Sequence, residues 1–84
     1  MVDEEKLVHI KYFALLREQR GVANESVQTR SQTARQLFNE LCQRHRFSLG
    51  HDRLNVAVNE EFADWETRLN NEDTVVFIPP VAGG

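Results

Sequence analysis

The sequence predicts a small α+β domain: a sheet of four to five strands, one main helix packed on one face, and a C-terminal tail projecting from the last strand. Three observations lead there. Residues 7–13 alternate as a half-buried strand does, residues 33–46 carry apolar groups at helical spacing, and Thr74-Val75-Val76-Phe77-Ile78 is a dense apolar run closed by Pro79-Pro80. A chain of 84 residues buries roughly 60–65% of its unfolded surface, enough for one modest core. Residues 1–84 therefore read as a single domain with a tail at 79–84, and a spacious substrate cleft is not expected.

The first strand is expected to turn Val8, Ile10 and Tyr12 to one face and Leu7, His9, Lys11 and Phe13 to the other. Ala14 to Arg20 holds good helix formers and stops at Gly21, which suits one short helix. A second strand follows near Glu25–Thr29, with Val27 inward. Thr33 and Gln36 have capping-box spacing, the hydroxyl accepting from one free amide and the glutamine reaching back to another. Ala34, Leu37, Phe38, Leu41 and Cys42 then form the buried stripe, and Arg44, His45 and Arg46 close the helix at the negative end of its dipole.

After a polar loop over 48–53, Leu54, Val56 and Val58 alternate with Asn55, Ala57 and Asn59 in a further strand. The turn-prone Asn59-Glu60-Glu61 ends it. Phe62 to Trp65 reads as a brief edge strand, with Phe62 on its short turn. Asn70-Asn71-Glu72-Asp73 is a turn cluster before the final strand, and the prolines after Ile78 end ladder pairing because they lack an amide proton.

Composition narrows the function. The net charge is −3 and Arg44 to Arg46 is the one basic knot, which argues against nucleic acid and membrane surfaces. Cys42 is alone, and the start Met1-Val2-Asp3-Glu4-Glu5-Lys6 has no apolar export core, so a cytoplasmic protein is expected. Cys42 reads as a core thiol. His9, His45 and His51 lack metal-ligand spacing, so no metal is expected. Glu60-Glu61 and Glu72-Asp73 read as solvated turn residues, and no glycine-rich phosphate loop is present.

The end of the chain, Val81-Ala82-Gly83-Gly84, is its most informative feature. Two terminal glycines arise by chance in about 0.5% of chains at average glycine usage. They give a carboxylate without flanking side chains, able to enter a narrow channel. Pro79 to Gly84 span at most about 20 Å at roughly 3.3 Å per residue, and the prolines favour an extended stalk with less ordering cost. Near its base, Phe13 and Ile78 alternate away from the core, and with Phe62 they form a candidate docking patch.

The strand–helix–strand plan with a diglycine end resembles the ubiquitin-like β-grasp family, whose sheet is mixed. More narrowly, Ile10-Lys11-Tyr12-Phe13-Ala14, Arg17-Glu18, Gly21, Ala57-Val58-Asn59, Leu69, Asp73, Val75, Phe77 and Pro79-Pro80-Val81-Ala82-Gly83-Gly84 are similar to the small, sulfur-carrying (MoaD-like) subunit of molybdopterin synthase. The resemblance covers residues 7–84. It implies that an E1-like enzyme uses ATP to adenylate Gly84, that a sulfurtransferase supplies sulfur to make a thiocarboxylate, and that this group donates sulfur to cyclic pyranopterin monophosphate inside the large synthase subunit. It further implies two small subunits flanking a large-subunit dimer, no tightly bound cofactor, and partner contacts through Phe13, Arg17, Phe62, Ile78, Pro79, Pro80, Val81, Ala82 and Gly83. One departure stands out. Where the family commonly has Asp-Gly-Asp, this chain has Asn71-Glu72-Asp73, so Asn71 is expected to take the left-handed conformation in place of the glycine.

Three other roles fit parts of the pattern. A sulfur carrier for thiamin thiazole synthesis also ends in Gly-Gly but generally lacks Pro-Pro-Val before it. A ubiquitin-like modifier would be activated in the same way and pass Gly84 to a lysine. A plain interaction domain would have no use for its tail.

Overall fold

The computed structural model of the chain describes residues 5–79. Its elements follow the order β1 (Lys6–Tyr12), α1 (Ala14–Arg20), β2 (Asn24–Thr29), α2 (Ala34–His45), a 3₁₀ turn (His51–Arg53), β3 (Asn55–Val58), β4 (Glu61–Ala63) and β5 (Thr74–Ile78). The five strands form one mixed sheet in the order β2-β1-β5-β3-β4. β1 and β2 make an antiparallel hairpin through α1, with Val8 opposite Val27. The first and last strands lie side by side in parallel, Ile10 opposite Val75 and Tyr12 opposite Phe77. Such a pairing needs a long crossover, and α2 supplies it.

α2 begins where expected. The Thr33 hydroxyl accepts from the Gln36 amide at 3.2 Å, while Gln36 Oε1 accepts from the amide of Gln32 at 2.8 Å. The reciprocal bond thus lands one residue earlier than a capping box places it. Two more amides of the first turn, Ala34 and Arg35, donate to the carbonyls of Thr67 and Trp65. The helix ends at His45, and Arg46 adopts the left-handed conformation (φ 56°) with its amide on the Cys42 carbonyl. Gly21 closes α1 in the same way, φ 88°, its amide on Arg17.

The inner face of the sheet is apolar at its centre. Val8, Ile10, Tyr12, Val56, Val75 and Phe77 are at most 1% exposed and pack against Leu37, Phe38 and Leu41 of α2 and Leu16 of α1. Phe38 anchors this layer, edge-on to Phe77 at 5.0 Å and stacked on Phe47 at 5.9 Å. Trp65 turns back from the end of β4 and stacks on Phe77, partly buried. In β2, Val27 packs against the core as expected, but Thr29 is the more buried residue, its hydroxyl on the Glu40 carboxylate at 2.5 Å. Cys42 is half-buried beside the core, and burial pushes its thiol pKa up.

Three expectations about turns need correction. Phe62 is not on a turn but in the middle of β4, opposite Ala57. The β3–β4 connection is a two-residue hairpin, Asn59-Glu60, with both φ values positive (54° and 73°), which matches the right-handed strand twist. Before β5, Glu72 rather than Asn71 is left-handed, φ 71°. The physical reason is the hydrogen bonding at the start of β1: Asn71 Oδ1 accepts from the Leu7 amide at 2.8 Å, and the Glu72 amide donates to the Leu7 carbonyl at 2.7 Å. Asp73, expected to be solvated, is 7% exposed. Its carboxylate accepts from Asn59 Nδ2 at 2.9 Å and from the Asn70 amide at 2.8 Å, tying the two turns together.

Candidate docking face and tail exit

Among the described residues only one face of the sheet carries a helix layer, and ladder register identifies what the other presents. Phe62, Ala57, Val76, Lys11 and Asn24 form one outward row across β4, β3, β5, β1 and β2. The next row towards the end of β5 pairs Ile78 with Asn55. Phe13 continues β1 with extended backbone (φ −129°, ψ 154°), which keeps the alternation and turns it outward beyond Tyr12. Phe62 is 78% exposed and Phe13 50%, while Ile78 is half-buried. The three expected patch residues therefore share a face, with Val76 and Ala57 filling the space along the rows.

α1 extends this surface. Arg17 is exposed one turn after Phe13, its amide on the Phe13 carbonyl. Leu16, one residue before Arg17, is fully buried and locks α1 to the domain. Gln19 and Ser48 exchange two hydrogen bonds that hold α1 to the loop after α2.

A half-buried polar clamp holds the same end of β1 against β2. The Tyr12 phenol donates to Glu25 Oε2 at 2.6 Å, and Arg20 grips both Glu25 oxygens at 2.9 and 2.7 Å. Burial, reinforced by the Glu25 charge, pushes the Tyr12 phenol pKa far up. The Arg20 hydrogen bonds hold the Glu25 carboxyl below its ordinary range despite partial burial. Burial and the neighbouring Arg20 charge lower His45. Alternation marks Tyr12 as inward but not its bonds to Glu25 and Arg20, because the clamp joins residues from three elements.

β5 runs parallel to β1, so the chain leaves the sheet beside Phe13 and α1. Pro79 is half-buried at that exit. Pro80, Val81, Ala82, Gly83 and Gly84 lie outside the described residues. At the other end of β1, His9 Nε2 donates to Glu72 Oε1 (2.9 Å) and His9 Nδ1 shares a hydrogen bond with the Ser26 hydroxyl (2.7 Å), stapling β2 and the left-handed turn to β1. Among the described residues no three His, Cys, Asp or Glu side chains converge as a metal site, and no helix is long and apolar enough to cross a membrane.

A mixed five-stranded sheet with its first and last strands parallel and one helix across it defines a ubiquitin-like β-grasp domain of the MoaD-like sulfur-carrier type. The chain belongs to the ThiS family, whose model matches residues 10–84. Among solved structures it is similar to a putative molybdopterin converting factor, subunit 1, from Pyrococcus furiosus: 31% identity, 90% of this chain and 99% of that chain covered, TM-score 0.77. SAMP1 from Haloferax volcanii matches at 25% identity over 93% of this chain and 99% of that chain, TM-score 0.77. Subunit 1 of the molybdopterin-converting factor of Helicobacter pylori, solved in complex with subunit 2, shares the fold at 22% identity over 93% and 99%, TM-score 0.64.

Proposed function

We propose that the chain is the sulfur carrier of molybdenum cofactor assembly, the small subunit of a molybdopterin synthase. In this reading the Gly84 carboxylate attacks the α-phosphate of ATP on an E1-like enzyme, forming an acyl adenylate and releasing pyrophosphate. A sulfurtransferase then supplies sulfur, AMP leaves, and Gly84 ends as a thiocarboxylate. The outer face docks on the large subunit through Phe13, Arg17, Phe62 and Ile78, while Pro79 and Pro80 stiffen the stalk and Val81, Ala82 and Gly83 thread the channel. There the thiocarboxylate donates its sulfur to cyclic pyranopterin monophosphate. Two small subunits flank a dimer of large ones. The domain has no need of a tightly bound cofactor, and it works in the cytoplasm.

The observation that carries this reading is the outward placement of exposed Phe13 and Phe62 and half-buried Ile78 on the helix-free face, Phe13 and Ile78 lying at the end of the sheet where β5 finishes beside β1. The 31% identity to a molybdopterin converting factor subunit supports the pathway. Intact-mass measurement of the protein purified from its own cells tests it: a fraction should carry one sulfur in place of one oxygen at the C-terminus, and it should convert the pyranopterin substrate when mixed with the large subunit.

The likeness to SAMP1, the small archaeal modifier protein 1 of Haloferax volcanii, keeps a second reading in play, in which Gly84 forms an amide with a target lysine. Incubation with cell extract and ATP distinguishes the two. Conjugation gives a ladder of heavier covalent species, whereas sulfur carriage gives none.

A further inference from the structure

The outer face holds one charge that apolar docking leaves unexplained. Lys11 sits in the outward row between Val76 and Asn24 and is exposed. Among the described residues no ion pair or hydrogen bond engages its ammonium group. Lys6, the chain's other lysine, is by contrast tied to the Ser31 carbonyl at 2.9 Å. Beside Lys11 lies a notch of about 250 Å³ bounded by Lys11, Asn59, Glu60, Thr74 and Val76. Asn59 is already committed, its Nδ2 to Asp73 and its Oδ1 to the Thr74 amide. Lys11 and Glu60 thus bring the uncommitted charges to the notch, from opposite rims, and they do not pair with each other.

Lys11 adjoins Val76 across the β1–β5 ladder and lies two residues before Phe13 on the same face, so a partner that covers Val76, Ile78 and Phe13 also covers Lys11. Taking a lone ammonium out of water is strongly unfavourable unless an opposite charge meets it. Glu60 makes no ion pair with it, and β5 runs between the strand that carries Lys11 and the β3–β4 hairpin that carries Glu60. We propose that the notch is a polar keyway in the docking face, which receives a carboxylate side chain of the protein partner against Lys11 while a cationic or amide group of that partner meets Glu60. Apolar strips tolerate sliding, whereas an ordered plus–minus pair admits one register and one orientation. The inference rests on the docking reading above, and it adds the charge pattern by which the partner is chosen.

Binding of the full-length chain to the purified large molybdopterin synthase subunit of its own organism, measured by calorimetry at two salt concentrations, tests it. Lys11→Glu should weaken binding about 100-fold and Lys11→Ala about 10-fold, the range of close interfacial charge pairs. Lys11→Arg should stay within about threefold, and Lys11→Ala should flatten the salt dependence. Circular dichroism and melting should not change. If Lys11→Glu binds like the unaltered chain while Phe62→Asp abolishes binding, the keyway is wrong and the docking face stands. Unaltered binding by Phe62→Asp as well would discard both. If Lys11→Ala and Glu60→Gln each weaken binding and the double variant is no worse than either, Lys11 pairs with Glu60 within the chain on docking, and the proposal fails.

Discussion

The same strands build two unlike surfaces. On the inner face Val8, Ile10, Tyr12, Val75 and Phe77 are essentially inaccessible. One residue along, the outer face carries His9, Lys11, Phe13, Val76 and Ile78, polar towards the start of β1 and apolar towards its end. The inner face has a single requirement, to fill the space under α2. A Phe at 78% exposure on β4 satisfies no such requirement, and burying its side chain is worth about 1.5–3 kcal/mol only to something outside the chain. The contrast separates residues that hold the domain together from those that present it.

Substitutions on the two faces should therefore split cleanly between stability and binding. Phe38→Ala removes the ring that touches Phe47, Trp65 and Phe77 and should cost about 3–5 kcal/mol, enough to unfold much of the population at physiological temperature. Chemical denaturation gives this directly. Phe62→Ser should change stability by less than about 0.5 kcal/mol, yet lose about 2 kcal/mol of affinity for the large subunit, as hot-spot aromatics do. If Phe62→Ser melts early instead, the outer face belongs to the core and the division collapses.

The Tyr12–Glu25–Arg20 clamp lies between these extremes, near the tail exit but structural in role. Glu25→Gln keeps the shape and loses the charge, and should cost about 1–2 kcal/mol at neutral pH. Because Arg20 holds the Glu25 carboxyl below its ordinary value of 4.5, the folded state binds this proton less readily than the unfolded chain. The contribution is therefore whole above pH 4.5 and is lost as pH falls through the lowered folded value. His45, lowered chiefly by burial, acts in the same direction from its ordinary 6.5 downwards. Melting curves from pH 7 to 3 should show the unaltered chain losing stability in both windows, and Glu25→Gln losing it only in the upper one.

How far the sequence reveals this molecule depends on the range of the interactions. α2, β1 and β5 were legible because their cues are local: Thr33 caps, Gly21 stops α1, and apolar groups recur at 3.6 or 2. The shared outward face of Phe13 and Ile78 followed from the same alternation. What escaped is non-local. Asp73 reads as a turn carboxylate until Asn59, fourteen residues away, is seen to donate to it. Phe62 reads as a turn residue until β3 pairs with β4. The clamp spans three elements, and no period encodes it. The proposed reactive end at Gly84 is legible only as composition and resemblance, and it lies outside the described residues.

Glu72 offers the finest test of how the polar end of the outer face is held. Its left-handed backbone costs roughly 1–2 kcal/mol relative to a glycine, which favours Glu72→Gly. Against this, glycine has more backbone freedom to lose on folding, about 0.5–1 kcal/mol, and the exposed pair with His9 is worth about 0–1 kcal/mol. The sum should fall within about 0.5 kcal/mol of zero. Asn71→Gly should instead destabilise by about 1 kcal/mol, because it strips the acceptor from the Leu7 amide. Equal effects from the two glycines would mean that backbone conformation alone governs this turn, and that the side-chain staple joining it to β1 contributes nothing.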